Sequence, residues 1–124
     1  MDKLKFIKEQ MEALDVPYEF GQWTSEVKYP YFVGEFTEDE PTTEDGAEFS
    51  MFMLNGFHRG KQIDLEEIRE RIKKHFATIH GLRGRTESGS IAVFYGSAFY
   101  IPQNDAELKR IQINLTIKEW KGEN

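Results

Sequence analysis

His58, His75 and His80 are the residues first in line for metal or proton chemistry. His75 and His80 stand five apart, so on a continuous helix they point in different directions and cannot share a metal as an i, i+4 pair can. No H-E-x-x-H occurs, and no carboxylate spacing completes a site around His58. The chain has no cysteine, which removes thiolate nucleophiles, disulfides and cysteine zinc sites together. Ser25, Ser50, Ser88, Ser90 and Ser97 lie outside any G-x-S-x-G elbow, and Gly96 before Ser97 reads more simply as a strand bulge. Carboxylates abound in EDEPTTEDG, residues 38–46, but a run on a loop lacks the burial that drives paired acidities apart. GLRGRTESG, residues 81–89, lacks the lysine and terminal Ser/Thr of a phosphate loop and follows a helix, not a strand. The residues therefore assign no catalytic, cofactor-binding or metal position, and the expectation is a protein that is not an enzyme.

What the residues do show is segregated charge. Between Glu35 and Glu48 there are seven acidic residues and no basic one. Between Arg59 and Arg85 there are eight basic residues against four acidic ones. Separate acidic and basic poles can bind copies of one chain head-to-tail, and a ring forms if the rotation closes. The candidate inter-subunit contacts are Glu38, Asp39, Glu40, Glu44 and Asp45 on one side, and Arg69, Lys73, Arg83 and Arg85 on the other. The plainer reading of the same residues is a set of independent solvated surfaces.

The elements that must position these groups follow from periodicity. Leu4, Ile7, Met11 and Leu14, widened by Phe6, form one stripe of a helix that Pro17 keeps from running on. YEFGQW and Tyr29–Thr37 read as strands, with Pro30 at a strand start or open edge. Glu48–Phe57 resumes the strand signal with apolar residues on both faces, a first hint of a covered second face. Asp64 and Glu67 have the spacing of a capping box opening a helix whose buried face is Leu65, Ile68, Ile72, Phe76 and Ile79, with Gly81 as its stop. Ile91–Ile101 is the most apolar segment. Ile111, Ile113, Leu115 and Ile117 alternate with polar residues, which specifies a strand buried on one face.

This order predicts an α+β fold: an antiparallel sheet of four to five strands with two amphipathic helices packed on one face. A chain of 124 residues and 14.5 kDa is expected to be a single domain over 1–124, with mobile stretches near 38–47 and 81–89 and a frayed end at 121–124. A net charge of −6 disfavours specific nucleic-acid binding, and no apolar run is long enough for a membrane partner.

The layout resembles the small tail-completion and tail-terminator proteins of tailed bacteriophages and of prophages. The resemblance runs from about Leu4 to Ile117 and includes the YPYFVGE segment, in which Tyr29, Pro30, Tyr31, Val33, Gly34 and Glu35 match the family's proline-aromatic-valine-glycine-glutamate strand. It implies a structural subunit, usually a hexameric ring, that caps the tail tube or joins tail to head and touches other tail or connector proteins. Its implied home is the virion tail, after assembly in the bacterial cytoplasm, with no cofactor. The alternative is a bacterial interaction or inhibitor module that presents its acidic segment to a basic partner.

Overall fold

The computed structural model describes residues 2–38, 47–78, 81–87 and 89–121. Helix α1 spans Asp2–Ala13 and buries Phe6, Ile7 and Met11, while Lys5, Lys8, Glu9 and Glu12 face water. It ends at Asp15, whose φ of 58° lets Val16 N–H reach back to the Met11 carbonyl at 2.9 Å. That reversal closes the helix two residues before Pro17 and seats Val16 in the core.

Strands β1 (Tyr18–Phe20), β2 (Tyr31–Glu38) and β3 (Ala47–Arg59) follow, then helix α2 (Gln62–Phe76). Strands β4 (Leu82–Thr86), β5 (Gly89–Tyr100) and β6 (Leu108–Lys121) complete the chain. They form one sheet in the order β1-β2-β3-β6-β5-β4. The α+β class and the two helices on one face stand as expected. The sheet itself differs, having six strands, and it is mixed because β1 runs parallel to β2. Within the glycine-rich stretch 81–89, expected to be mobile or a hairpin connector, Leu82–Thr86 form strand β4, paired to β5. Of the other stretch expected to be mobile, residues 39–46 lie outside the described residues, as do 122–124 at the end.

Parity along the strands decides what is inside. Phe32 of β2, Phe52 and Leu54 of β3, Ile91 and Val93 of β5, and Ile111, Ile113, Leu115 and Ile117 of β6 all point toward the helices and are buried. Helix α2 presses Leu65, Ile68, Ile72 and Phe76 onto this face. Helix α1 touches both β1 and β4, the two edge strands, so it lies along the seam of a curled sheet. Its Phe6 ring occupies the space over Gly84, where an added Cβ would come within 2.3 Å. As anticipated, Gly96 marks a bulge, with the β5–β6 register shifting between Tyr95 and Ser97.

The start of α2 corrects the expected capping box. Lys61 occupies the cap position without a side-chain hydrogen bond, and Asp64 sits inside the first turn with its carboxylate turned toward His58. The helix closes at Phe76, and Ile79, expected on its buried face, lies with His80 outside the described residues.

Candidate functional site

The sequence-derived contact residues do not converge on one patch. Asp39, Glu40, Glu44 and Asp45 lie outside the described residues, and Glu38 is placed only as the last residue of β2. Arg69 and Lys73 are on α2. Arg69 is already committed there: its Nη2 donates to Glu66 Oε1 at 3.0 Å and to Glu70 Oε1 at 2.8 Å. The Tyr100 hydroxyl donates to the same Glu66 carboxylate at 2.5 Å, tying α2 to the end of β5. Arg69 and Tyr100 together hold the Glu66 carboxyl below its usual range. Lys73 Nζ lies 6.0 Å from the Tyr95 ring centre on this same helical side. Arg83 and Arg85 project from the opposite face of β4, and Arg83 lies 5.5 Å over the Trp120 ring. The basic cluster of the sequence is thus split between the two faces of the sheet.

The face away from the helices gathers aromatic rings and cations instead. Across its strands Tyr31 pairs with Phe57, and Phe57 with Arg110. The Tyr31 and Phe57 rings stack with centroids 5.2 Å apart at 24°. Trp23 and Tyr29, from the segment leading into β2, bring their rings to 4.9 and 5.6 Å from Tyr31. The Arg110 guanidinium lies 5.6 Å over Phe57 and donates to Asn55 Oδ1 through Nε at 3.2 Å and Nη2 at 2.9 Å. Toward the other end of the sheet, Lys118 lies 5.3 Å from the Phe49 ring and 4.8 Å from that of Trp120. Met51, 39% exposed, lies on β3 between the two clusters. Trp, Tyr and Arg around a half-buried centre make up the composition that dominates binding energy at protein interfaces.

The remaining polar groups are spent inside the fold. His58 is buried on β3, and its Nε2 meets Asp64 Oδ2 at 2.8 Å. A carboxylate only accepts, so Nε2 carries the hydrogen of this bond, and Nδ1 is left buried without a partner. His75 Nε2 lies 2.7 Å from Gln10 Oε1, joining α2 to α1, and burial lowers its pKa. Among the described residues no three His, Asp or Glu side chains are arranged to hold a metal. A groove of about 570 Å³ runs between α1 and β1, lined by Leu4, Lys8, Tyr18 and Phe20. Its one carboxylate, Glu19, is held by its own turn, accepting from the Thr24 hydroxyl at 2.6 Å and from the Thr24 and Ser25 amides.

Sequence reading reached part of this arrangement, since Glu48–Phe57 showed apolar residues on both faces. It missed Arg110 and Trp23, whose partners lie on other strands, and it missed the His58–Asp64 pair. The signal for that pair was present: His58 shares strand parity with the core residues Phe52 and Leu54. No known family model matches the chain, and no curated protein matches it either.

Proposed function

We propose that the chain is a non-enzymatic structural subunit that works by self-association, in a phage or prophage tail, where a ring of copies caps the tail tube or joins tail to head. The observation that carries this reading is the unequal covering of the sheet. One face is closed by α1 and α2, while the other carries the Trp23–Tyr29–Tyr31–Phe57–Arg110 cluster with no helix among the described residues over it. An aromatic surface of this kind gains free energy by leaving water, at roughly 25 cal/mol per Å² of apolar area. The segment behind the family resemblance lies in the same place. Tyr29 and Tyr31 of YPYFVGE belong to the cluster, while Phe32 and Gly34 of the same segment are buried beneath it.

Light scattering across a concentration series at low salt, with electron microscopy of the heaviest fraction, tests the proposal. Mass rising to a small closed multiple, seen as rings with an open channel, is the expected result. A monomer at every concentration would overturn self-association and favour the inhibitor-like reading.

A further inference from the structure

The aromatic cluster contains a cation without a counter-charge. Arg59 lies 5.9 Å over the Tyr29 ring and is neutralised by Asp105 at 2.7 Å. Arg110, half-buried, has a ring and a neutral amide oxygen for company, and no described carboxylate bonds it. A guanidinium in that setting binds a carboxylate strongly, because the flanking rings exclude water and weaken screening. The chain itself holds a dense supply of carboxylates in Glu38, Asp39, Glu40, Glu44 and Asp45. Resting on the self-association proposed above, we infer that the Arg110 cluster receives the acidic run of a second copy of this chain.

Geometry rules out the same molecule as the donor. Tyr31 opens β2 and Glu38 ends it, so the cluster sits at the far end of the β2–β3 pair from the residue at which the acidic run begins. Seven steps of strand separate them by about 23 Å. The sequence has eight residues between Glu38 and Ala47, and a chain of that length reaches at most about 14 Å out and back. A carboxylate of this run therefore meets Arg110 only from a neighbour. Because donor and receptor are different surfaces, the contact is head-to-tail and repeats until it closes.

Single-stranded nucleic acid also offers negative charge, but it needs open ring faces for its bases. Here the faces of Tyr31 and Phe57 are turned to one another, and Arg110 lies over Phe57. The cluster offers charge within an apolar frame, which suits an acidic peptide better than a stack of bases.

The test uses the full chain in two variants, Arg110→Glu and the double variant Glu44→Arg with Asp45→Arg, each checked for unchanged thermal unfolding. Sedimentation velocity at low salt should show each variant associating at least about tenfold more weakly than the parent chain. Mixing the two should restore association, since the intact acidic run of the first meets the intact Arg110 of the second and the two reversed surfaces are again opposite in charge. Undiminished association of both variants would overturn this inference while leaving self-association standing. A parent chain that stays monomeric would remove both. Tight binding of a labelled twelve-nucleotide oligo(dT) that Arg110→Glu abolishes would reassign the cluster to nucleic acid.

Discussion

At the scale of single residues, the polar side chains that looked available for chemistry hold backbone in place. His58 ties the end of β3 to the first turn of α2 through Asp64, standing in for the side-chain cap that Lys61 does not provide. Replacing Asp64 by alanine leaves Nε2 buried without an acceptor, beside an Nδ1 that already has no partner. Urea unfolding should show a loss of about 1–3 kcal/mol. Gly60→Ala attacks the same contact sterically, since its Cβ would fall 2.3 Å from His58 Nε2, and a similar loss of about 1–3 kcal/mol is expected. The two variants should be strongly non-additive, because both act on one interaction. Glu19 gives a pH signature. Hydrogen bonds from Ser25 and Thr24 pull its carboxyl from an ordinary 4.5 down to about 2. A lowered folded-state value means that its contribution is complete above about 4.5 and is lost as the pH falls toward 2. Trp23 donates to the Glu26 carbonyl at 3.3 Å in this same turn, so its fluorescence in a Trp120→Phe background should shift within that acid window. The shift should be absent at neutral pH, and Glu19→Gln should show the acid spectrum at every pH.

At the scale of elements, the strands that alternate most regularly were the most legible in sequence. Strand β6 announced itself because Ile111, Ile113, Leu115 and Ile117 share one face, and all four are fully buried. The same parity continues to Glu119, which is buried beside the equally buried Lys3, with Nζ 3.9 Å from its Oε1. Lys3 is further placed over the Phe36 ring at 4.1 Å, a contact between the first helix and a strand that no local pattern encodes. Strand β4 was illegible for a related reason. Its central inward position is Gly84, and the volume missing there is supplied by Phe6, far off in sequence. The parallel pairing of β1 was hidden because three residues carry too little pattern to define a neighbour. Close packing around glycine recurs at Gly56, where an added Cβ would meet the Phe32 ring at 2.3–2.8 Å. Phe32 is fully buried and has nowhere to retreat, so Gly56→Ala should cost about 1–3 kcal/mol in thermal or urea unfolding. Hydrogen exchange should rank the elements by burial of their pairing. Amides of β3 and β6, central and paired on both sides, should exchange last, and those of the three-residue edge strand β1 first.

At the scale of the whole molecule, the proposed self-association assigns stability to one sheet face and association to the other. The charge runs of the sequence suggested one basic surface made of Arg69, Lys73, Arg83 and Arg85. In the fold, Arg69 is bound within α2 by Glu66 and Glu70, and Glu66 is in turn bound by Tyr100, so that arginine works as an internal strut. Arg110, outside the sequence-derived set, lies within the aromatic cluster and bonds a neutral amide oxygen, with no described carboxylate on it. The two arginines should therefore respond in opposite ways. Arg69→Ala should lower stability by about 1 kcal/mol or less, the usual worth of a partly exposed ion pair, and leave the concentration dependence of mass unchanged. Arg110→Ala should do the reverse, moving the association midpoint at least about tenfold with little change in unfolding. Raising salt should imitate Arg110→Ala in the parent chain, because at 1 M the screening length shrinks to about 3 Å and charges approaching from a neighbouring copy lose their reach. It should have little further effect on the Arg110→Ala chain. Equal sensitivity of association to both arginines would mean that the helical face also meets a neighbour, and the division of labour between the two faces would be wrong.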